Sequence, residues 1–160
     1  MTNKYRVVLV ISLVIILLAV AAGGLIFFFR MYQSDVKALK GFTTAYHAYD
    51  QAVAGFSKPL MVGEPASADL EHAADQALTE LKFTASVRIS SLIKNDAELM
   101  SAEQEIAGLA EKELAALKAC QTALAEKDAN FAGLAKAFTD LSQQRQAAFA
   151  RYLQLSGGNE

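Results

Sequence analysis

Every residue from 7 to 29 is apolar or small, and this run contains no charged side chain. As an α-helix the run would be about 34 Å long, which is enough to cross a hydrocarbon core of roughly 30 Å. Tyr5 and Tyr32 flank the run, as aromatic residues do at the two faces of a bilayer. The sequence therefore predicts a transmembrane helix at residues 7–29 that is in contact with membrane lipid.

A cleaved signal peptide is the alternative, because Lys4 and Arg6 precede the run and residues 19–21 read Ala-Val-Ala, the form of a cleavage site. Cleavage there would leave the apolar residues 25–29 exposed at a new N-terminus, so we favour an uncleaved anchor. Basic residues are nearly balanced on the two sides of the run and do not orient it. A short basic segment before a long apolar run is typical of a signal anchor, which predicts residues 1–6 inside and the bulk of the chain outside, in a periplasmic or extracellular space.

Beyond this run the chain has the composition of long helices. Alanine is abundant, and Pro59 and Pro65 are the only prolines. We expect an all-α domain over residues 31–156, followed by a short tail at residues 157–160. Residues 1–30 hold three of the 15 basic residues and none of the 17 acidic ones, so the domain is acidic. An acidic domain lacks the basic surface that nucleic acid requires.

The spacing of apolar residues predicts helices with a heptad seam, as in a coiled coil. In the first outer helix they recur at alternating intervals of three and four. This seam consists of Leu39, Phe42, Tyr46, Tyr49, Val53, Phe56 and Leu60. Extended backward it meets Asp35, so the transmembrane helix is expected to continue into the domain without a break. Pro59 stops it, and Ser67 or Asp69 can cap the next helix.

Two further reversals are expected, at residues 94–97 and at residues 127–130. The first is required because a helix that packs antiparallel on the first outer helix must turn before it meets the lipid. Asn95 and Glu98 have the spacing of a capping box at that turn. The resulting four segments predict an up-down-up-down four-helix bundle, with a three-helix arrangement containing one long bent helix as the alternative.

Two pairs of charged residues lie on predicted apolar faces. Glu113 lies in the stripe of the third outer helix and Arg145 interrupts that of the fourth. Counted from a turn near Asp128, their positions differ by only about 3 Å along the helix axis. Because an unpaired buried charge is very costly, we expect a buried ion pair between them. Asp35 and Arg88 are expected to form a similar pair nearer the membrane.

Five apolar residues fit the predicted core poorly and are candidate contacts for a protein partner or a second copy of the chain. Leu60, Met61 and Val62 are expected in the distal loop. Phe83 and Val87 lie on the face of the second outer helix opposite its apolar stripe. Exposed apolar patches mark binding surfaces, whereas packing at the edges of the bundle is the alternative interpretation.

The sequence carries no enzyme signature: it has no phosphate-binding glycine loop, nucleophile elbow or metalloprotease motif. Cys120 is its single cysteine, and His47 and His72 lie on different predicted helices. We therefore expect no catalytic, cofactor or metal site. These features favour a non-enzymatic accessory or scaffold subunit of an envelope complex. The alternative is a sensory or ligand-binding bundle that signals through a partner protein.

Overall fold

The computed structural model of the protein describes residues 3–87, 89, 93 and 95–157, and for residues 3–15 the description covers the backbone alone. Every regular element among the described residues is an α-helix. The four helices are α1 (Asn3–Met61), α2 (Ala68–Ala85), α3 (Asp96–Glu126) and α4 (Phe131–Ser156). The predicted all-α class with four helices is confirmed.

The first helix, α1, joins the apolar run and the first heptad seam in one uninterrupted helix. The large apolar side chains between Ile16 and Phe29 are 55–72% exposed, so the other helices do not cover this part of α1. Within the described residues α1 is the one helix that is long and apolar enough to cross a membrane. By its length and composition, α1 could therefore span a membrane.

The predicted seam of α1 is buried along its whole length, from Leu39 at 7% exposure to Leu60 at 1%. The placement of Leu60 corrects one prediction. This residue is not in the distal loop, because Pro59 is accommodated inside the last turn of α1 and the helix continues to Met61. Leu60 therefore packs in the core and is unavailable to a partner.

The turn from α1 to α2 depends on a left-handed glycine. Gly63 has a φ of 80°, which a residue with a side chain rarely adopts. The backbone N–H of Glu64 donates to the carbonyl of Pro59 at 2.9 Å. Ser67 then caps α2, because its hydroxyl accepts from the backbone N–H of Leu70 at 3.4 Å, as the sequence predicted.

The connection from α2 to α3 differs from the prediction. The second helix already ends at Ala85, and Ile89 and Ile93 fold into the core with exposures of 4% and 2%. β-branched residues and serines dominate this connection, and they favour helices less than the alanines before them. The predicted capping box is wrong: Asn95 has a left-handed φ of 62° and makes no side-chain cap hydrogen bond.

The turn from α3 to α4 lies at the predicted residues. Lys127 adopts a left-handed φ of 55°, and the N–H of Asp128 donates to the carbonyl of Ala123 at 2.8 Å. This bond satisfies a carbonyl that the end of α3 would otherwise leave unpaired. Glu113 and Arg145, one on each side of this turn, are thereby directed back toward each other.

Candidate functional site

The most highly connected polar group in the described part of the bundle surrounds Arg145 of α4. Its Nε donates to Oε2 of Glu113 at 2.6 Å, and its Nη2 lies 3.3 Å from Oε1 of the same carboxylate. Nη2 also donates to Oδ1 of Asp50 on α1, at 2.7 Å. Arg145 is 1% exposed and Glu113 0% exposed, whereas the side chain of Asp50 is 45% exposed. The structure thus brings Glu113 and Arg145 together and adds a third charged residue.

Two tyrosines of α1 complete this polar cluster. The hydroxyl of Tyr49 donates to the carbonyl of Ala110 at 2.6 Å and lies 3.1 Å from Oε2 of Glu113. The guanidinium carbon of Arg145 lies 5.0 Å from the ring centre of Tyr46 and 5.1 Å from that of Tyr49. Both distances are within the range of a cation–π interaction. Residues from α1 and α3 therefore hold the buried guanidinium of α4.

The electrostatics of this cluster favour fixed charges. Burial opposes the charge of Arg145, but hydrogen bonds and charges from Glu113 and Asp50 outweigh it and raise the pKa of the guanidinium. Burial, followed by the charge of Glu113, raises the pKa of Tyr49 well above its usual value, and burial raises that of Tyr46 to about 12. The guanidinium and both phenols therefore keep their protons at neutral pH, which suits a structural role better than proton transfer.

A second buried acid, Glu103 of α3, was missed by the sequence reasoning. It is 1% exposed and has the hydroxyl of Tyr152 as a hydrogen-bond partner. That hydroxyl in turn donates to the carbonyl of Leu39 at 3.3 Å. Burial raises the pKa of Glu103 to about 8, so this side chain holds its proton at neutral pH.

The signal for Glu103 was present in the sequence. The buried seam of α3 follows alternating intervals of four and three, and Glu103 occupies a regular position in it. That seam is Leu99, Glu103, Ile106, Ala110, Glu113, Leu117 and Cys120. Asp50 offered no comparable signal, because it follows Tyr49 directly and lies one residue off the seam of α1.

The remaining predicted site residues lie apart from the polar cluster. Met61 and Val62 are 53% and 70% exposed at the end of α1, and Phe83 and Val87 are 63% and 36% exposed at the end of α2. Asp35 is buried, at 5% exposure. Its predicted partner, Arg88, lies outside the described residues.

Neither the cysteine nor the histidines form a reactive centre in the described structure. Burial raises the pKa of the Cys120 thiol, which disfavours the reactive thiolate. His47 is exposed beside the ring of Phe149, and His72 is exposed and hydrogen-bonded to Gln76 at 2.8 Å. Within the described ranges no group of three or more His, Cys, Asp or Glu residues is arranged to hold a metal ion.

Comparison of the chain with protein-family models, with curated proteins and with solved structures finds no match.

The buried pair predicts a strongly coupled double mutant. Glu113→Leu should destabilise the protein by about 3–5 kcal/mol, because it leaves the guanidinium of Arg145 buried without its main partner. Glu113→Leu combined with Arg145→Met should recover most of this loss. Thermal unfolding of the detergent-solubilised single and double mutants measures the coupling.

The exposed pair of Lys82 and Glu111 provides the control, since its atoms lie 3.0 Å apart with side chains 48% and 57% exposed. Its double-mutant coupling should stay below about 1 kcal/mol. If the losses of stability caused by Glu113→Leu and Arg145→Met simply add in the double mutant, the two side chains do not stabilise each other and the prediction is wrong.

Glu103 predicts a specific pH dependence of stability. Between its unfolded pKa of 4.5 and its folded pKa of about 8, the folded state holds a proton that the unfolded state has released. The free energy of unfolding should therefore fall as pH rises through this window, by on the order of 3–5 kcal/mol. Glu103→Gln should abolish that fall in chemical unfolding at pH 5 and pH 8. Glu105→Gln, which changes an exposed acid on the same helix, should keep it; equal pH profiles for the two variants would disprove the assignment.

Proposed function

We propose that the protein is a non-enzymatic, membrane-anchored helical bundle that presents a protein-interaction surface, as an accessory or scaffold subunit of an envelope complex. The observation that carries this proposal is the continuity of α1. One helix bears an apolar segment that no other helix covers and, without a break, the seam around which the bundle packs. A helix that spans a bilayer and then enters a core holds that core at a fixed height above the membrane.

The proposed topology is up-down-up-down, and the order of the contacts between helices supports it. Lys118 of α3 pairs with Asp75 in the first half of α2, at 2.8 Å, whereas Lys82 near the end of α2 pairs with Glu111 earlier in α3. This reversed order is expected of antiparallel neighbours.

Contacts made by α4 follow the same pattern. Arg145 reaches Asp50, while Tyr152, seven residues later, reaches the carbonyl of Leu39, earlier in α1. In this topology Met61, at the end of α1, stands roughly 48 Å beyond Phe29, where the apolar segment ends.

Two exposed apolar surfaces suit a protein partner. One is Met61 with Val62, at the distal end, and the other is Phe83 with Val87, at the end of α2. Phe83 is the better candidate for the central contact residue of this interface, because an aromatic side chain that is 63% exposed gains most from burial in a partner. A second candidate function, a sensory or ligand-binding bundle, is favoured by a groove between α1 and α4 that is described below.

Single-cysteine labelling tests the anchor and its orientation. In a Cys120→Ala background, Ala125→Cys should react with a membrane-impermeant thiol reagent in intact cells, because it lies on the exposed surface of α3. Asn3→Cys should react only after lysis. The reverse pattern would contradict the proposed orientation, and release of the chain by alkaline carbonate would contradict the anchor itself.

Charge substitution tests the interaction surface. Phe83→Glu with Val87→Glu should lower the yield of crosslinked complexes in native membranes about tenfold, since each carboxylate would have to be desolvated at the interface. Helicity should be unchanged. Gln76→Glu with Thr79→Glu adds the same charge to exposed positions of α2 and should leave the yield intact. Loss of helicity in the first variant would mean that Phe83 and Val87 stabilise the fold instead.

A further inference from the structure

A groove of about 620 Å³ lies between α1 and the C-terminal end of α4. From α1 it is lined by a stripe that starts at Tyr32, passes Val36 and Lys40 and ends at Thr44, which is about 18 Å along the helix. Leu153 contributes to the opposite wall. The volume lies within the range of sites that hold small organic ligands.

Four of the five hydroxyl groups in the walls of this groove donate to backbone carbonyls of the protein, and the fifth belongs to Tyr32 at the start of the groove. Thr43 donates to the carbonyl of Leu39 at 3.1 Å, and Thr44 donates to that of Lys40 at 2.9 Å. Tyr152 and Ser156 likewise donate to backbone carbonyls. Because these protons are used internally, the groove presents little hydrogen-bonding demand to a ligand and suits a hydrocarbon chain.

One charge stands at the groove. Lys40 is the single charged residue among its lining residues, and it forms no ion pair with any described residue. Among the described residues, no acidic side chain lines the groove. A ligand that complements this arrangement has an apolar chain and an anionic head group.

The groove also begins where the apolar segment of α1 ends. Tyr32 lies only three residues beyond Phe29, about 5 Å along the helix. The exposed guanidinium group of Arg30, at the end of that segment, favours an anionic membrane surface at this height. The lipid-facing surface of α1 thus continues directly into the groove.

We propose that this groove holds the acyl chain of an anionic membrane lipid, with the lipid head group at Lys40. This inference rests on the membrane anchor proposed above. The acyl chain packs on Val36 and Leu153 and points toward Tyr32 and the bilayer. The ammonium group of Lys40 forms the ion pair with the anionic head group.

The full chain, reconstituted in phosphatidylcholine vesicles that contain phosphatidylglycerol with a photoreactive acyl chain, tests the proposal. Peptide mapping after illumination should find lipid adducts at residues 32–44 and 152–156 as well as on the apolar segment. Lys40→Ala should lower the labelling of the groove roughly two- to fivefold, the range expected for a partly exposed ion pair. Lys37→Ala removes an exposed charge of the same helix outside the groove and should not lower it.

Filling the groove provides an independent variant. Val36→Trp should suppress adducts in the groove while leaving those on the apolar segment unchanged, with helicity as the check on folding. Photoreactive phosphatidylcholine in place of phosphatidylglycerol should label the groove as weakly as the Lys40→Ala variant does.

The outcomes separate the groove from the anchor. Adducts confined to residues 16–29 would overturn the groove proposal and leave the anchor standing. If Lys40→Ala and Lys37→Ala lower the labelling of the groove equally, the head group does not lie at Lys40. A chain that does not float with the vesicles would remove both proposals.

Discussion

The ion pair of Glu113 and Arg145 is the constraint on which the register of the bundle depends. The core contains many alanines, and helices that meet through small side chains have few features that fix how far one slides along another. A guanidinium that is 1% exposed must find its acceptors at one level on α1 and α3 at the same time. A shift by one helical turn would bury both charges unpaired, at a cost of several kcal/mol. The pair thus disfavours other registers more than it strengthens this one.

Aromatic side chains set the spacing between α1 and α4, and the groove follows from that spacing. The rings of Tyr46 and Phe149 stack with centres 3.5 Å apart, and those of Phe42 and Tyr152 lie 5.0 Å apart. These rings fill the space between the two helices. Closer to its apolar segment, α1 presents Val36, which is too small to fill the same gap. The helices cannot close on each other there without displacing the rings, so a groove remains.

Glu103 contrasts with Glu113, although both lie in the same seam of α3. Glu113 is matched by a guanidinium and belongs to a network with fixed charges. Glu103 forms no ion pair with a described residue, and burial favours its protonated form, whereas the hydrogen bond with Tyr152 acts in the opposite direction and lowers the pKa. Tyr152 is also a wall residue of the groove. A buried acid and the proposed lipid site therefore share the side chain of Tyr152.

Local patterns in the sequence determined where most of the helices and turns lie, whereas tertiary packing decided which side chains of different helices come into contact. The apolar run and the heptad spacing were sufficient for the extent of α1, the cap at Ser67 and the turn near Lys127, because each depends on residues close in the chain. The end of α2 was misplaced, because the serines and β-branched residues after Ala85 weaken a helix only slightly. The burial of Ile89 and Ile93 in the core depends on tertiary packing, which the local sequence does not show.

The pairing of Glu113 with Arg145 could be predicted from the sequence, because two opposite charges on buried helix faces, at matching distances from a turn, have few other partners. The third member, Asp50, was not. It lies 95 residues from Arg145, off its own seam, and only the packing of α1 against α4 brings its carboxylate to the guanidinium. The groove likewise could not be predicted from the sequence. Its shape depends on how the surfaces of α1 and α4 face each other, and the sequence shows only the pattern of each helix separately.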